Sequence, residues 1–248
     1  MFELKDPTDM KEIRKRIDIN DKLEYLKRLY FGADVVSEAH DGDVPARFRA
    51  ASTAAYGDMA RTLVGKKARN ARWSRTSRHP KFSAVFTPAA REAFRAEVTA
   101  KLWRAVHDPA YESSDRGAFD AWHEALCDAV MDVGVPSGNT VRHPLFYGQA
   151  QKWVNMTIKY AWVIGGLVED PSPWCHFPVD NIMLSSVEAR HGGDPRHGAA
   201  LRAFRAVPWS QWDKRTYLAY IDLMRGIAGE TPLFEYEFHA WKTYEGDY

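Results

Sequence analysis

Lys152 and Asp180 carry the side chains in this sequence best placed for bond-making chemistry. Lys152 lies near the start of residues 146–162, FYGQAQKWVNMTIKYAW, where apolar residues such as Trp153, Val154, Met156, Ile158 and Tyr160 recur on almost every side. That pattern predicts a helix over 147–164, buried all round. Lys152, Asn155 and Lys159 follow at spacings of three and four, so they share one line along it. Such a line faces either a cleft or a solvated edge. In the first turn the positive end of the helix dipole disfavours a cation. Phe146, Tyr147 and Trp153 strip water from Lys152 there, so its amine is expected to be more nucleophilic than that of a surface lysine. Asp180 stands in Pro178-Val179-Asp180-Asn181-Ile182, directly before an apolar run, which is the pattern of a helix N-cap. A cap is rigid, so it can also hold a carboxylate in place for chemistry.

At these residues the sequence resembles the helix–hairpin–helix DNA glycosylase superfamily, which includes endonuclease III and 8-oxoguanine DNA glycosylase. The likeness rests on Gly148-Gln149-Ala150-Gln151-Lys152, on Asn155 three residues further on, and on the later Pro178-Val179-Asp180 step. The family signature is a Leu-Pro-Gly-x-Gly hairpin, a lysine two residues past the second glycine, and an aspartate in a Val-Asp step opening a later helix. By that resemblance Lys152 matches the Schiff-base lysine and Asp180 the invariant aspartate. The hairpin residues Gly148, Gln149, Ala150 and Gln151 would hold a DNA phosphate. The likeness spans roughly residues 145–185. The chain departs from the pattern at Phe146-Tyr147, where the family has Leu-Pro, and at Ala150, where it has the second glycine. The stretch between Lys152 and Asp180 is also longer than usual for the family. With two cysteines the chain cannot build the four-cysteine iron–sulfur cluster of the endonuclease III branch, and no cofactor is expected.

The chemistry that the resemblance implies is base removal. Breaking an N-glycosidic bond passes through an oxocarbenium-like sugar, which a nearby carboxylate stabilises. An amine then captures the anomeric carbon, and the resulting imine permits strand cleavage. A base in a duplex must first be flipped into a pocket. Tyr147, Trp153, Asn155 and Phe177 are the expected lining, with Trp174 and Trp209 as further aromatic candidates. The atypical hairpin implies an unusual substrate, such as a hypermodified base of phage DNA in antiphage defence; repair of damaged DNA is the other setting.

Residues 65–79, GKKARNARWSRTSRH, give an independent hint of nucleic acid. Lys66, Lys67, Arg69, Arg72, Arg75 and Arg78 surround Trp73 with no acid among them. Basic residues with an interleaved aromatic suit a phosphate backbone and a stacked base, although a solvated basic loop reads the same way. Cys175, His176, His191 and His197 are metal-ligand types, but none has zinc-site spacing, so no metal is expected. A phosphate-binding Gly-rich loop with its Lys-Ser/Thr and a Gly-x-Ser-x-Gly elbow are both lacking, which leaves ATP hydrolysis and esterase chemistry without support. Two other classes stay open. One is a non-catalytic helical nucleic-acid-binding protein; the other is a helical interaction module in which Lys152 edges one helix and Asp180 caps another.

The elements that must position these groups read as helices. The chain has 248 residues, of which 45% are hydrophobic, enough for a core without disulfides or metals. Its net charge of +1 identifies no partner by itself. Cys127 and Cys175 read as free thiols in a reducing compartment. The charged start MFELKDPTDM lacks a signal-peptide core, and no apolar stretch is long enough to span a membrane, so a cytoplasmic protein is expected. Helices are predicted over 18–32, 45–64 and 88–107, the last with Thr87 as N-cap and Pro88 in its first turn. Others are predicted over 118–133, 147–164, 180–190 and 199–206, then behind a Ser210/Asp213 capping box, and over 231–241. Alternating strand patterns are scarce and residues 139–144 read as loop. The expected fold is all-α, a single helical unit over 1–248 or two interleaved ones, with a cleft near 145–185.

Overall fold

The computed structural model describes residues 43–63, 86–113, 115–137 and 140–240. The predicted helix at 18–32 and the basic segment at 65–79, with Lys66, Lys67, Arg69, Arg72, Arg75, Arg78 and Trp73, lie outside them. Among the described residues the fold is mostly helical, with one small antiparallel hairpin. No helix among them is long and apolar enough to cross a membrane.

The first three helices among the described residues begin where a side-chain oxygen can take an orphan amide. Helix α1, Val44–Ala60, starts at Asp43, which accepts from Ala46 N at 2.8 Å. Helix α2, Pro88–Ala105, starts at Thr87, as the Thr-Pro pair predicts. Helix α3, Arg116–Met131, starts at Asp115, which accepts from Ala118 N at 2.7 Å. The chain then pairs β1, Val135–Ser137, with β2, Thr140–Arg142, in the register Val135↔Arg142. The loop expected at 139–144 is therefore partly strand. Two strands of three residues, the first with Pro136 at its middle, leave too little alternation to detect.

Helix α4, Tyr147–Ile164, occupies the centre, and all 18 of its residues are buried. Gly165 ends it in the left-handed conformation with φ 69°. Phe48, Ala51, Ala55 and Met59 of α1 join its core, where full burial of one phenylalanine side chain stabilises by roughly 2–3 kcal/mol. Polar atoms fix the register between the two helices: Trp153 Nε1 donates to Ser52 O at 3.1 Å and Tyr160 Oη to Asp58 Oδ2 at 2.6 Å. Helices α5, Asn181–His191, and α6, Gly198–Phe204, follow. A 3₁₀ turn, Trp209–Gln211, then leads to α7, Lys214–Ala228, and α8, Leu233–Ala240. The cap of α7 is Asp213, accepting from Thr216 N at 2.8 Å, rather than Ser210, which falls inside the 3₁₀ turn. Trp209 and Trp212, in and just after that turn, are both buried, and the helix starts only after it.

A candidate amine–carboxylate site

Lys152 and Asp180 meet. Lys152 Nζ donates to Asp180 Oδ2 at 2.6 Å, joining the first half of α4 to the start of α5. Asp180 is also the N-cap of α5, its Oδ1 accepting from Met183 N at 2.9 Å. Cap and ion pair coexist because each carboxylate oxygen takes one partner. Burial pushes the Asp180 carboxyl up, but the Lys152 ammonium and the Met183 amide outweigh it and hold the group below the usual carboxylate range. Lys152 is the sixth residue of α4, in its second turn, past the first-turn reach of the helix dipole expected from sequence, so Asp180 is the charge that matters to it. The side chains are 7% and 22% exposed, so solvent reaches the pair from the Asp180 side.

The residues expected to cradle a phosphate form the first turn of α4 instead of a hairpin. Gly148 N donates to Trp212 O at 3.0 Å, and the Gln149 and Ala150 amides turn back to Phe146 O. A Cβ on Gly148 would stand 1.9 Å from Trp209 O, so this glycine serves the close approach of the 3₁₀ turn. Gln149 accepts from Phe146 N and donates to Thr62 O at 2.9 Å. Ala150 is wholly buried. Gln151 is wholly buried too, and donates to Gly148 O at 2.9 Å and Val179 O at 3.0 Å while accepting from Val179 N and Asn155 Nδ2. Gly148, Gln149, Ala150 and Gln151 thus face neighbouring elements of the chain and leave a phosphate no surface. Local sequence looks the same in both cases; only the partner segments differ.

The expected base-pocket residues are likewise core. Tyr147, Trp153, Asn155 and Phe177 are buried, as is Trp209. Trp153 packs against Tyr56 and Phe94, and Tyr147 against Tyr217. The shape that suits an aromatic to grip a base also suits it to fill a helical core, and here the core wins. Trp174 differs: it is 37% exposed. It lines a cavity of about 830 Å³ with Arg116, Asp222, Arg225 and Glu230.

Behind that cavity runs a polar chain that sequence reasoning missed. Arg225 grips Asp120 through both guanidinium nitrogens at 2.6 and 2.9 Å. Asp120 Oδ1 lies 2.9 Å from His176 Nε2, and His176 Nδ1 lies 3.0 Å from the Tyr217 hydroxyl. Asn155 Nδ2 lies 3.0 Å from that hydroxyl, and its Oδ1 lies 2.8 Å from His123 Nε2. Burial pushes the His123 imidazole well below its usual value and His176 down as well. Burial would raise the Asp120 carboxyl, but His176 and Arg225 bind its anion and hold it far lower. The available signal was His123 on the apolar face of α3, between Phe119 and Cys127. The buried thiols of Cys127 and Cys175 are unpaired with each other and pushed far up by burial, which makes them inert. Comparison with protein-family models, curated proteins and solved structures returned no match.

Proposed function

We propose that this chain is a DNA glycosylase-like enzyme that releases a damaged or modified base, with Asp180 and Lys152 as its reacting groups. The observation that carries the reading is the 2.6 Å Lys152–Asp180 contact at a helix start, with the carboxylate the more exposed partner. A carboxylate held ionised there suits stabilisation of the positive sugar formed as the C1′–N bond breaks. The bonding pair leaves with the base, and the Lys152 ammonium gives its proton to that departing group. The neutral amine then adds to C1′, and opening of the sugar ring converts the adduct to an imine. Hydrolysis of the imine returns the lysine.

Borohydride trapping on DNA carrying varied lesions and phage-type modifications tests this, with free-base release assayed in parallel. A covalent adduct lost in Lys152→Ala, and base release lost in Asp180→Asn with DNA binding retained, are the expected results. Neither adduct nor base release from any of these DNAs would overturn the reading. The competing reading is a structural bridge within a helical binding module, favoured by a second lysine–carboxylate pair of equal length, Lys159–Glu237, on the same helix.

A further inference from the structure

Among the described residues no strand lies beside the segment that carries Asp180, yet its backbone is hydrogen-bonded as if one did. Pro178 has no N–H and restricts Phe177 to extended backbone, so residues 177–179 approach α4 as an open edge. The exposed edge groups are met by two side-chain amides one helical turn apart. Asn155 Nδ2 donates to Phe177 O at 3.1 Å. Gln151 closes a reciprocal pair with Val179, donating to its carbonyl at 3.0 Å and accepting from its amide at 3.2 Å. Phe177 and Val179 alternate along the extended segment while Gln151 and Asn155 stand at i and i+4 on the helix, so the two periods match over this span.

We infer that Gln151 is the positioning residue for the Lys152–Asp180 pair, with Asn155 as a second rung, the two amides acting as a surrogate strand that sets where Asp180 lands. Gln151 precedes Lys152 and Val179 precedes Asp180, so each half of the clamp is one peptide from a member of the pair. No other residue type fits Gln151's bonding. Its two N–H groups reach Gly148 O and Val179 O, and its oxygen takes Val179 N and lies 3.1 Å from Asn155 Nδ2, whose two hydrogens are shared among Gln151 Oε1, Phe177 O and the Tyr217 hydroxyl. An ionised glutamate would turn two donors into acceptors facing carbonyls; methionine keeps the volume and loses all four bonds. Asn155 is anchored from behind by His123 and Tyr217, and through Tyr217 by His176, Asp120 and Arg225. The clamp is therefore braced against α3 and α7. Its catalytic meaning rests on the glycosylase reading; its geometry does not.

The test uses the full chain and begins without substrate. In the unsubstituted protein the Val179 amide is expected to exchange with deuterium on the order of a hundredfold or more slower than an open amide, although it lies outside any helix or sheet. Exchange at the rate of an open loop would overturn the inference whether or not any variant folds. In folded Gln151→Met, the Asp180 carboxyl, followed by ¹³C NMR, is expected to titrate closer to an ordinary carboxylate. Lys152 is expected to undergo reductive methylation about tenfold faster as its partner drifts, with Lys159 on the same helix unchanged as the internal control. Movement of both lysines alike, or of neither, would show that Gln151 only packs. Gln151→Glu is expected to restore the reciprocal pair only when its carboxyl is protonated, since the acid form supplies one O–H donor and one acceptor. If the enzyme reading holds, Gln151→Met slows single-turnover base release with DNA affinity unchanged. If the unsubstituted protein releases no base, that reading fails while exchange and titration still decide the clamp.

Discussion

Helix α4 carries two lysines on one side, about two turns apart, and each meets a carboxylate at 2.6 Å. Their surroundings differ. Lys159 and Glu237 are 2% and 5% exposed, and Lys159 also lies over the Phe238 ring at 4.6 Å. Burial lowers the Lys159 amine despite the attraction of Glu237, and Glu237 Oε2 has no hydrogen-bond partner among the described residues. That pair joins α4 to α8 inside a sealed core. The Lys152–Asp180 pair is 7% and 22% exposed, both of its carboxylate oxygens are bonded, and a clamp of amides holds the backbone before it. Equal distances therefore conceal different roles: one pair is a fastening, while the other is a braced arrangement within reach of solvent.

The comparison breaks most visibly at the sealed pair. Glu237→Ala removes the carboxylate partner of a buried cation and is expected to cost about 3–5 kcal/mol in urea denaturation, whereas replacing both partners by apolar residues of similar volume is expected to be close to neutral. A loss under 1 kcal/mol for Glu237→Ala would mean that Lys159 finds water. Asp180→Ala removes a cap and one member of a partly solvated pair, for an expected loss of about 1–3 kcal/mol by the same measurement. An equal or larger loss than at Glu237 would mean that the two pairs play the same structural role. The smallest effects lie in pH. The Asp180 carboxyl is held low in the folded state, so its contribution is present above the ordinary carboxylate value and is lost as pH falls through the folded one. The Lys159 amine is lowered, so between its folded value and the ordinary lysine value the unfolded chain binds the extra proton, and stability rises with pH. Stability–pH curves should lose the acid fall in Asp180→Asn and the alkaline rise in Lys159→Met. Retention of either feature would assign it elsewhere.

Much of the scaffold was legible because the signals were local. Thr87-Pro88 and Asp180 fix helix starts by bonds to amides a few residues away, and the apolar run from Trp153 to Val163 announced burial of α4. The polar line of Lys152, Asn155 and Lys159 read as a cleft or a solvated edge; all three are buried, each with a partner drawn from a distant element, and only the Asp180 partner of Lys152 is partly exposed. What could not be read was long-range. Gln151 resembles a hairpin residue in its own neighbourhood, and only the arrival of Val179 gives it another task. The chain from Arg225 to His123 is assembled from four segments, and its members are scattered polar residues with no shared spacing. Trp153 and Phe177 were candidates for gripping a base because aromatic residues serve either purpose.

A helix with no outer face has no freedom of phase. Adding or deleting one residue within Tyr147–Ile164 would swing everything beyond it by about 100°. An ordinary surface helix absorbs such a slip by rotating its polar side, but here every direction is occupied. A change at the start of the helix would carry Gln151 away from Val179, Lys152 from Asp180, and Lys159 from Glu237 in a single step. The count of residues in this helix is therefore as much a part of the candidate site as the lysine itself.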